Sequence, residues 1–285
     1  MTRILVLGDL NLDVRAELPQ DLPWGGEART AVRAVPGGSA GNFARAARDE
    51  GAEVLFVGCV GQDAAGDLLL QSLRAQRIKA HVRRVANPTG TIVSLWKGRE
   101  RTMLCSRGAN DGLDASWIEE SFFREANHLH LSGYAFLSSS QQGAARRAIA
   151  MAHSRELMIS VDPPPGNLIR RFGVAAFLRE IETVDWVFPN LDEGEALSGT
   201  AGPESIVERL AARFAAGALT LGKDGSLAWS QEERAQATVE PLDLVDTTGA
   251  GDAFAAGFVV AFLAGAALPE ANRRGSEAAA RHLGG

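Results

Sequence analysis

Short apolar runs alternate along the chain with longer, Ala- and Arg-rich stretches whose apolar positions repeat at helical spacing. The runs predict strands at 4–8, 54–57, 128–131, 158–162, 186–189 and 218–221. The periodic stretches predict helices near 40–50, 65–75, 141–153, 204–215, 250–263 and 269–281. Parallel strands need long crossover connections, so this alternation predicts a mostly parallel sheet covered by helices on both faces. Two stretches break it. Residues from about 14 to 36, ending in "ARTAVRAV", and from 89 to 107, containing "TIVSLW" and "RTMLC", read as short strands without helices between them. They predict a small accessory sheet placed to cover an active site. No repeat, low-complexity tract or linker interrupts the chain, so residues 1–285 read as one α/β domain.

Composition narrows the function. Acidic residues outnumber basic ones, 35 to 29, and both are spread along the chain without dense basic runs, so nucleic acid is not an expected partner. Cys59 and Cys105 lack the paired spacing of a zinc or redox site; both read as small core or near-core residues in a reduced compartment. The N-terminus has no signal-peptide layout, and the apolar run at 254–267 is broken by Gly257 and Gly265 and too short to span a bilayer. No membrane association is expected, and the default location is the cytoplasm.

The stretch "DTTGAGDAF" at 246–254 carries the most chemistry. Small residues opening a helix at the carboxyl end of a strand present unpaired N–H groups to an anion. Thr248, Gly249, Ala250 and Gly251 can turn theirs toward a phosphoryl group gathering charge in transfer. A carboxylate directly beside such a site needs a reason: Asp252 can take the proton of an attacking hydroxyl. The plainer reading, in which Asp252 caps the helix and the glycines make a turn, stays open on these residues alone. "GALTLGKDG" at 217–225 has part of a P-loop spacing, but Asp224 stands where that loop needs Ser or Thr. What remains is a strand ending in Thr220 and a Gly-bearing turn suited to nucleotide contact. A dinucleotide glycine fingerprint is also missing after the first strand, which argues against a nicotinamide oxidoreductase.

"VDTTGAGDAFAAGF" at 245–258 and "PGGSAGNFARAARDEGAEVLFVGCVGQDAAG" at 36–66 resemble the two signatures of the ribokinase-like, PfkB-type carbohydrate kinases, in the family's order and separation. The likeness continues through "GDLNLD", "PTGT", "RGAN", "PNLDE" and "TLGKDG", and so covers almost the whole chain. It implies a three-layer ribokinase-like α/β fold with a small β-strand lid, ATP and Mg2+ as cofactors, and a sugar or sugar-like acceptor. It also implies that Asp252 is the general base and that the amides of Gly249, Ala250 and Gly251 form the anion hole.

On the acceptor side the resemblance places Asn11, Asp13, Gly37, Gly38 and Asn42, with Arg107 as a candidate partner for an anionic acceptor. On the nucleotide side it places Asn190, Glu193, Thr220, Gly222, Gly225 and Thr248, with Glu193 meeting magnesium through water. Taken alone, Glu193 reads as a solvated carboxylate in a helix's first turn. Ribose-specific members carry a Glu shortly after the strand that here reads "HLHLSGYAF", and no carboxylate stands there, which argues against ribose. His128 and His130 alternate along that strand and read as one packed and one hydrogen-bonded histidine. Relatives usually continue past the last helix and complete a monovalent-cation site there, so potassium use stays open. Lid strands in the family often pair between subunits, which makes a homodimer an expectation. The leading expectation is a sugar kinase acting on a hydroxymethyl group; its rivals are a nucleoside kinase of the same fold and a non-catalytic sugar sensor.

Overall fold

The computed structural model describes residues 2–19, 21–22, 25–98, 100–239 and 246–284; Val245 of the second signature and positions 20, 23, 24 and 99 of the two lid stretches lie outside them. In chain order the strands are β1 (Arg3–Leu7), β2 (Asn11–Glu17), β3 (Val32–Gly37), β4 (Glu53–Gly61), β5 (Lys79–Val85), β6 (Gly90–Lys97), β7 (Glu100–Ser106), β8 (His128–Ser132), β9 (Met158–Asp162), β10 (Trp186–Val187), β11 (Ala216–Thr220), β12 (Ser226–Trp229) and β13 (Arg234–Ala237). The helices are α1 (Ser39–Asp49), α2 (Ala64–Ala75), α3 (Ser139–His153), α4 (Gly166–Phe172), α5 (Val174–Glu180), α6 (Leu191–Ser198), α7 (Pro203–Ala211), α8 (Ala250–Leu263) and α9 (Leu268–Gly284).

The large sheet runs β13-β12-β11-β10-β9-β8-β1-β4-β5, parallel from β11 to β5 and antiparallel at the β11–β12–β13 end. Near its middle, β1 shows why a continuous apolar run is needed. Ile4 and Val6 face a core shared with α1, α2, α8 and α9, while Leu5 and Leu7 face a second core closed by α3 to α7. Every predicted strand and helix has a counterpart here. The elements without an expectation are the polar edge strand β5, the β12–β13 hairpin, and α4, α5 and α6, which are too short to show a period.

The two odd stretches build a separate sheet ordered β3-β2-β6-β7, the expected lid. It differs in two respects. Its first strand begins at Asn11, so Asn11 and Asp13 lie on the lid itself, and β3 begins only at Val32 within "ARTAVRAV". Cys59 is a core residue as expected, but Cys105 is exposed, because β7 is a lid edge strand with solvent-facing residues along its length.

His128 and His130 are both buried, and both are hydrogen bonded, where one packed and one bonded ring was expected. Nε2 of His128 and Nδ1 of His130 lie 2.7 and 2.8 Å from the Ser160 hydroxyl, and His130 stacks on Phe43 of α1. Burial pushes His128 down to about 3 and His130 well below its ordinary value, so both rings are neutral in the fold. The unfolded chain takes up these protons near pH 6.5. The pair's contribution to stability is therefore fully present above about pH 6.5 and is lost as pH falls from there toward about 3. We expect Tm to fall between about pH 6.5 and 5, and less steeply in His130→Phe, which keeps the stack on Phe43. Equal slopes in the two proteins would contradict burial as neutral rings.

Candidate active site

Strand β1 ends at Leu7, and the next residues lead into the lid. Asp9 is buried there and accepts from the Ser39 amide at 3.0 Å, so a carboxylate sits against the start of α1. It also accepts from Asn11 Nδ2 at 3.1 Å; Asn11 Oδ1 accepts from Asn110 Nδ2 at 2.7 Å, and Asn110 Oδ1 accepts from the Leu10 amide at 3.0 Å. Both polar groups of Asn11 are thus engaged in fixing the root of the lid.

Asp13, the next inward-facing position on β2, lies against Gly37, where a Cβ would come within 2.3 Å of the carboxyl group. Glycine is the only residue that admits this approach. At Gly38, which precedes α1, a Cβ would come within 2.7 Å of the Asp9 carbonyl oxygen. Burial raises Asp13 to about 6, partly offset by the Arg15 guanidinium at 3.8 Å. Its Oδ1 is buried and has no hydrogen-bond partner among the described residues. The second carboxyl of the site, Asp252, is buried in the first turn of α8 and accepts from Asn42 Nδ2 at 2.8 Å and from the Ser39 hydroxyl. Asn42 Oδ1 accepts from Arg45, so the Asn42 amide positions Asp252.

Gly249 precedes α8 at φ +85°, a conformation L side chains rarely adopt, and a Cβ there would meet His282 and Asn42. The Ala250 amide donates to the Thr247 carbonyl at 3.2 Å. Gly251 and Asp252 follow in a first turn whose N–H groups have no intrahelical acceptor, and Gly251 faces open space. Thr248 is fixed from three sides: its amide donates to Asp246, its hydroxyl accepts from Arg101, and its carbonyl lies 3.0 Å from His282 Nε2. Arg15 in turn reaches Asp246 at 2.6 Å, so two lid arginines fasten the lid to this turn. Burial acts to raise Asp246, but the Thr248 hydrogen bonds and the arginines outweigh it and hold the carboxyl below its ordinary range.

On the other flank, Asn190 begins α6. Its side chain accepts from the Glu193 amide, while the two Glu193 oxygens accept from the Asn190 amide at 2.9 Å and from Nδ2 at 2.8 Å. Glu193 is buried rather than solvated, and burial pushes it up to about 8. Thr220 joins this corner through its amide, 2.9 Å from the Pro189 carbonyl. Gly222 lies open in the following turn, whereas Gly225 is pressed against Ala237 of β13. The Arg107 guanidinium donates to Asp111 at 2.8 Å and to Gln141. Motif reading missed Asp9, Arg15, Arg45, Asn110, Tyr134 and Asp162. The last is buried at the end of β9, where burial, and after it the charges of Asp252, Glu193 and Asp9, hold its carboxyl well above the ordinary range.

The fold thus brings Asn42 of α1 and Asp252 of α8 into hydrogen-bonding contact and sets Asn190, Glu193 and Thr220 together at the start of α6. A family model described as "pfkB family carbohydrate kinase" matches residues 1–283. The chain belongs to this family. Among pfkB relatives, a ribokinase of Bacillus subtilis is 29% identical over 97% of this chain and 92% of its own length. The crystal structure of an adenosine kinase from Sinorhizobium meliloti matches with a TM-score of 0.90 at 25% identity, covering all of this chain and 94% of that one. A putative ribokinase II from E. coli, solved in complex with ATP and Mg2+, shares the fold with a TM-score of 0.89 at 20% identity, over 99% of this chain and 93% of that one.

Arg15 and Asp246 are each under a third exposed, and such a pair contributes about 1 kcal/mol or less to global stability. Its effect is expected to be local. In Arg15→Met, hydrogen exchange of the β2 and β3 amides should quicken while Tm changes little; unchanged exchange would show that the ion pair does not hold the lid.

Proposed function

We propose that this pfkB-family kinase transfers the γ-phosphoryl group of ATP to a hydroxymethyl oxygen of a sugar or sugar-like acceptor, with Asp252 as general base. The observation that carries this reading is the placing of Asp252: buried, aligned by Asn42 and Ser39, and next to the open face of Gly251. Asp13, with its unpartnered Oδ1, supports the acceptor assignment. The acceptor oxygen forms its bond to phosphorus as the bond from the γ-phosphorus to the ADP oxygen breaks, and the hydroxyl proton passes to Asp252. First-turn amides of α8 donate hydrogen bonds to the phosphoryl oxygens as charge gathers on them.

The residues present fit magnesium held mainly by nucleotide phosphates and water. Such a cation needs only one or two protein carboxylates. Glu193 supplies one, an oxygen donor whose proton affinity burial has raised and a nearby cation would lower. Magnesium bound with the nucleotide supplies charge neutralisation at the transferring phosphate. A nucleoside acceptor is the second reading, favoured by the likeness to the S. meliloti adenosine kinase. Among the described residues no helix is long and apolar enough to cross a membrane, and we place the enzyme in the cytoplasm. The exposed Val32, Met103 and Leu104 on the lid support a homodimer formed through that sheet.

Two substitutions test the site. Asp252→Asn keeps the shape but cannot take the proton, so turnover should fall about 100- to 10,000-fold with nucleotide and acceptor affinities near wild type. Turnover above about a tenth of wild type would overturn the base assignment. Asp13→Ala should leave ATP affinity intact and weaken the acceptor by roughly 1 to 3 kcal/mol per stranded hydroxyl. An unchanged acceptor KM would remove Asp13 from the acceptor site.

A further inference from the structure

Asn42 can donate to Asp252 in only one orientation of its amide, because the two ends of that amide have nearly the same shape and only the nitrogen carries hydrogens. Arg45 decides which end faces Asp252. A guanidinium has donors and no acceptor, so the Asn42 oxygen must turn toward it, and Arg45 Nη2 donates to Asn42 Oδ1 at 2.7 Å. That leaves Nδ2 toward Asp252, 2.8 Å from its Oδ2, and beside the turn before α8, where a Cβ on Gly249 would come within 3.0 Å of it. Both hydrogen bonds of the chain Arg45, Asn42, Asp252 thus donate in the direction of the carboxyl.

The guanidinium is itself held in place. The same Nη2 donates to the Pro36 carbonyl at 3.2 Å, just ahead of Gly37 and Gly38, so both of its hydrogens are used. It lies over Gly41, one turn earlier on α1, where a Cβ would come 2.8 Å from Leu10 and 3.4 Å from Nη1. Nη1 is buried without a hydrogen-bond partner among the described residues, a cost that an apolar side chain in the same slot would avoid. The acids around Asp252 are Asp9 and Asp13 at the root of the lid, Asp162 at the end of β9 and Glu193 of α6, with Tyr134 after β8; Arg45 is the cation acting on it. A positive charge at this place favours the ionised carboxyl.

Resting on the reading of Asp252 as the base, we propose that Arg45 is a positioning residue: it locks the Asn42 amide with its N–H side toward Asp252 and, through that bond, keeps the carboxyl aligned and charged. Arg45 itself exchanges no proton. The acceptor hydroxyl gives its proton to Asp252 as its oxygen bonds to phosphorus and ADP leaves, and Asp252 is reset by losing that proton to solvent.

The test joins pH–rate profiles to the nuclear magnetic resonance signal of the Asn42 side chain. Arg45→Met removes both donor and charge, so kcat on the plateau should fall on the order of 10-fold while KM for ATP stays near wild type. The acid limb should move up by about 1 pH unit, because Asp252 without that charge holds its proton to higher pH. Arg45→Lys keeps the charge and a donor and should recover most of both losses. An arginine that only braced α1 would change Tm alone, so an acid limb superimposable on wild type in folded Arg45→Met would overturn the proposal. If Arg45→Met fails to fold, the polar but neutral Arg45→Gln carries the same expectation for the acid limb and the same contrary outcome. The Asn42 amide signal, identified by its loss in Asn42→Ala, should exchange with water faster in these neutral variants than in wild type; equal exchange would overturn the lock. Turnover near wild type in Asp252→Asn would instead defeat the base reading, and the Asn42 signal would still decide whether Arg45 sets the amide.

Discussion

Asp9, Asp13, Asp162, Glu193 and Asp252 are buried together at the carboxyl edge of the sheet, and like charges withdrawn from water cannot all stay ionised. Each is accommodated differently. Asp9 is held by the start of α1, Asp13 by a neighbouring guanidinium, Glu193 by its capping box and Asp252 by Asn42, while burial and the acids around it keep Asp162 well above the ordinary carboxylate range. The distribution of protons follows from these partners. Burial raises Asp13 to about 6 and Glu193 to about 8, so Asp13 is the first of the two to give up its proton as pH rises.

The rest of the fold keeps this arrangement closed and aligned. Strand β1 delivers Asp9 to α1, the lid carries Asp13 over Gly37, and α8 brings Asp252 back against Asn42. Arg15 and Arg101 then tie the lid to the turn that begins α8. Lid and α8 turn thus share one set of contacts, since Arg15 touches Asp13 on one side and Asp246 on the other. Because the lid covers buried acids, it also keeps from them water that would weaken their interactions.

Much of this was legible in the sequence, for physical reasons. A strand buried on both faces, such as "RILVL", must be apolar throughout, and α8, packed on the sheet, shows as a long apolar run. The loop that opens α8 was legible because its glycines and carboxylate are adjacent in the chain. Asp162 was not, since it is a lone carboxylate at a strand end and the acids around it come from distant parts of the chain. At Arg107 the sequence shows the charge but not Asp111 and Gln141, which accept its hydrogen bonds. Glu193 belongs to a local N-x-x-E pattern, yet its burial depends on packing that the pattern does not contain. The two histidines looked inequivalent until Ser160, on the adjacent strand, placed one hydroxyl between them.

Acceptor-dependent ADP release tests the account most directly, measured with the wild type over hexoses, pentoses, ketodeoxy acids, sugar phosphates and nucleosides, with the product examined by phosphorus NMR. The account predicts that a sugar or sugar derivative gives the highest kcat/KM and that the new phosphoester lies on its hydroxymethyl oxygen. ADP release that no acceptor raises above the rate with ATP alone, or a nucleoside preferred over every sugar, would contradict it.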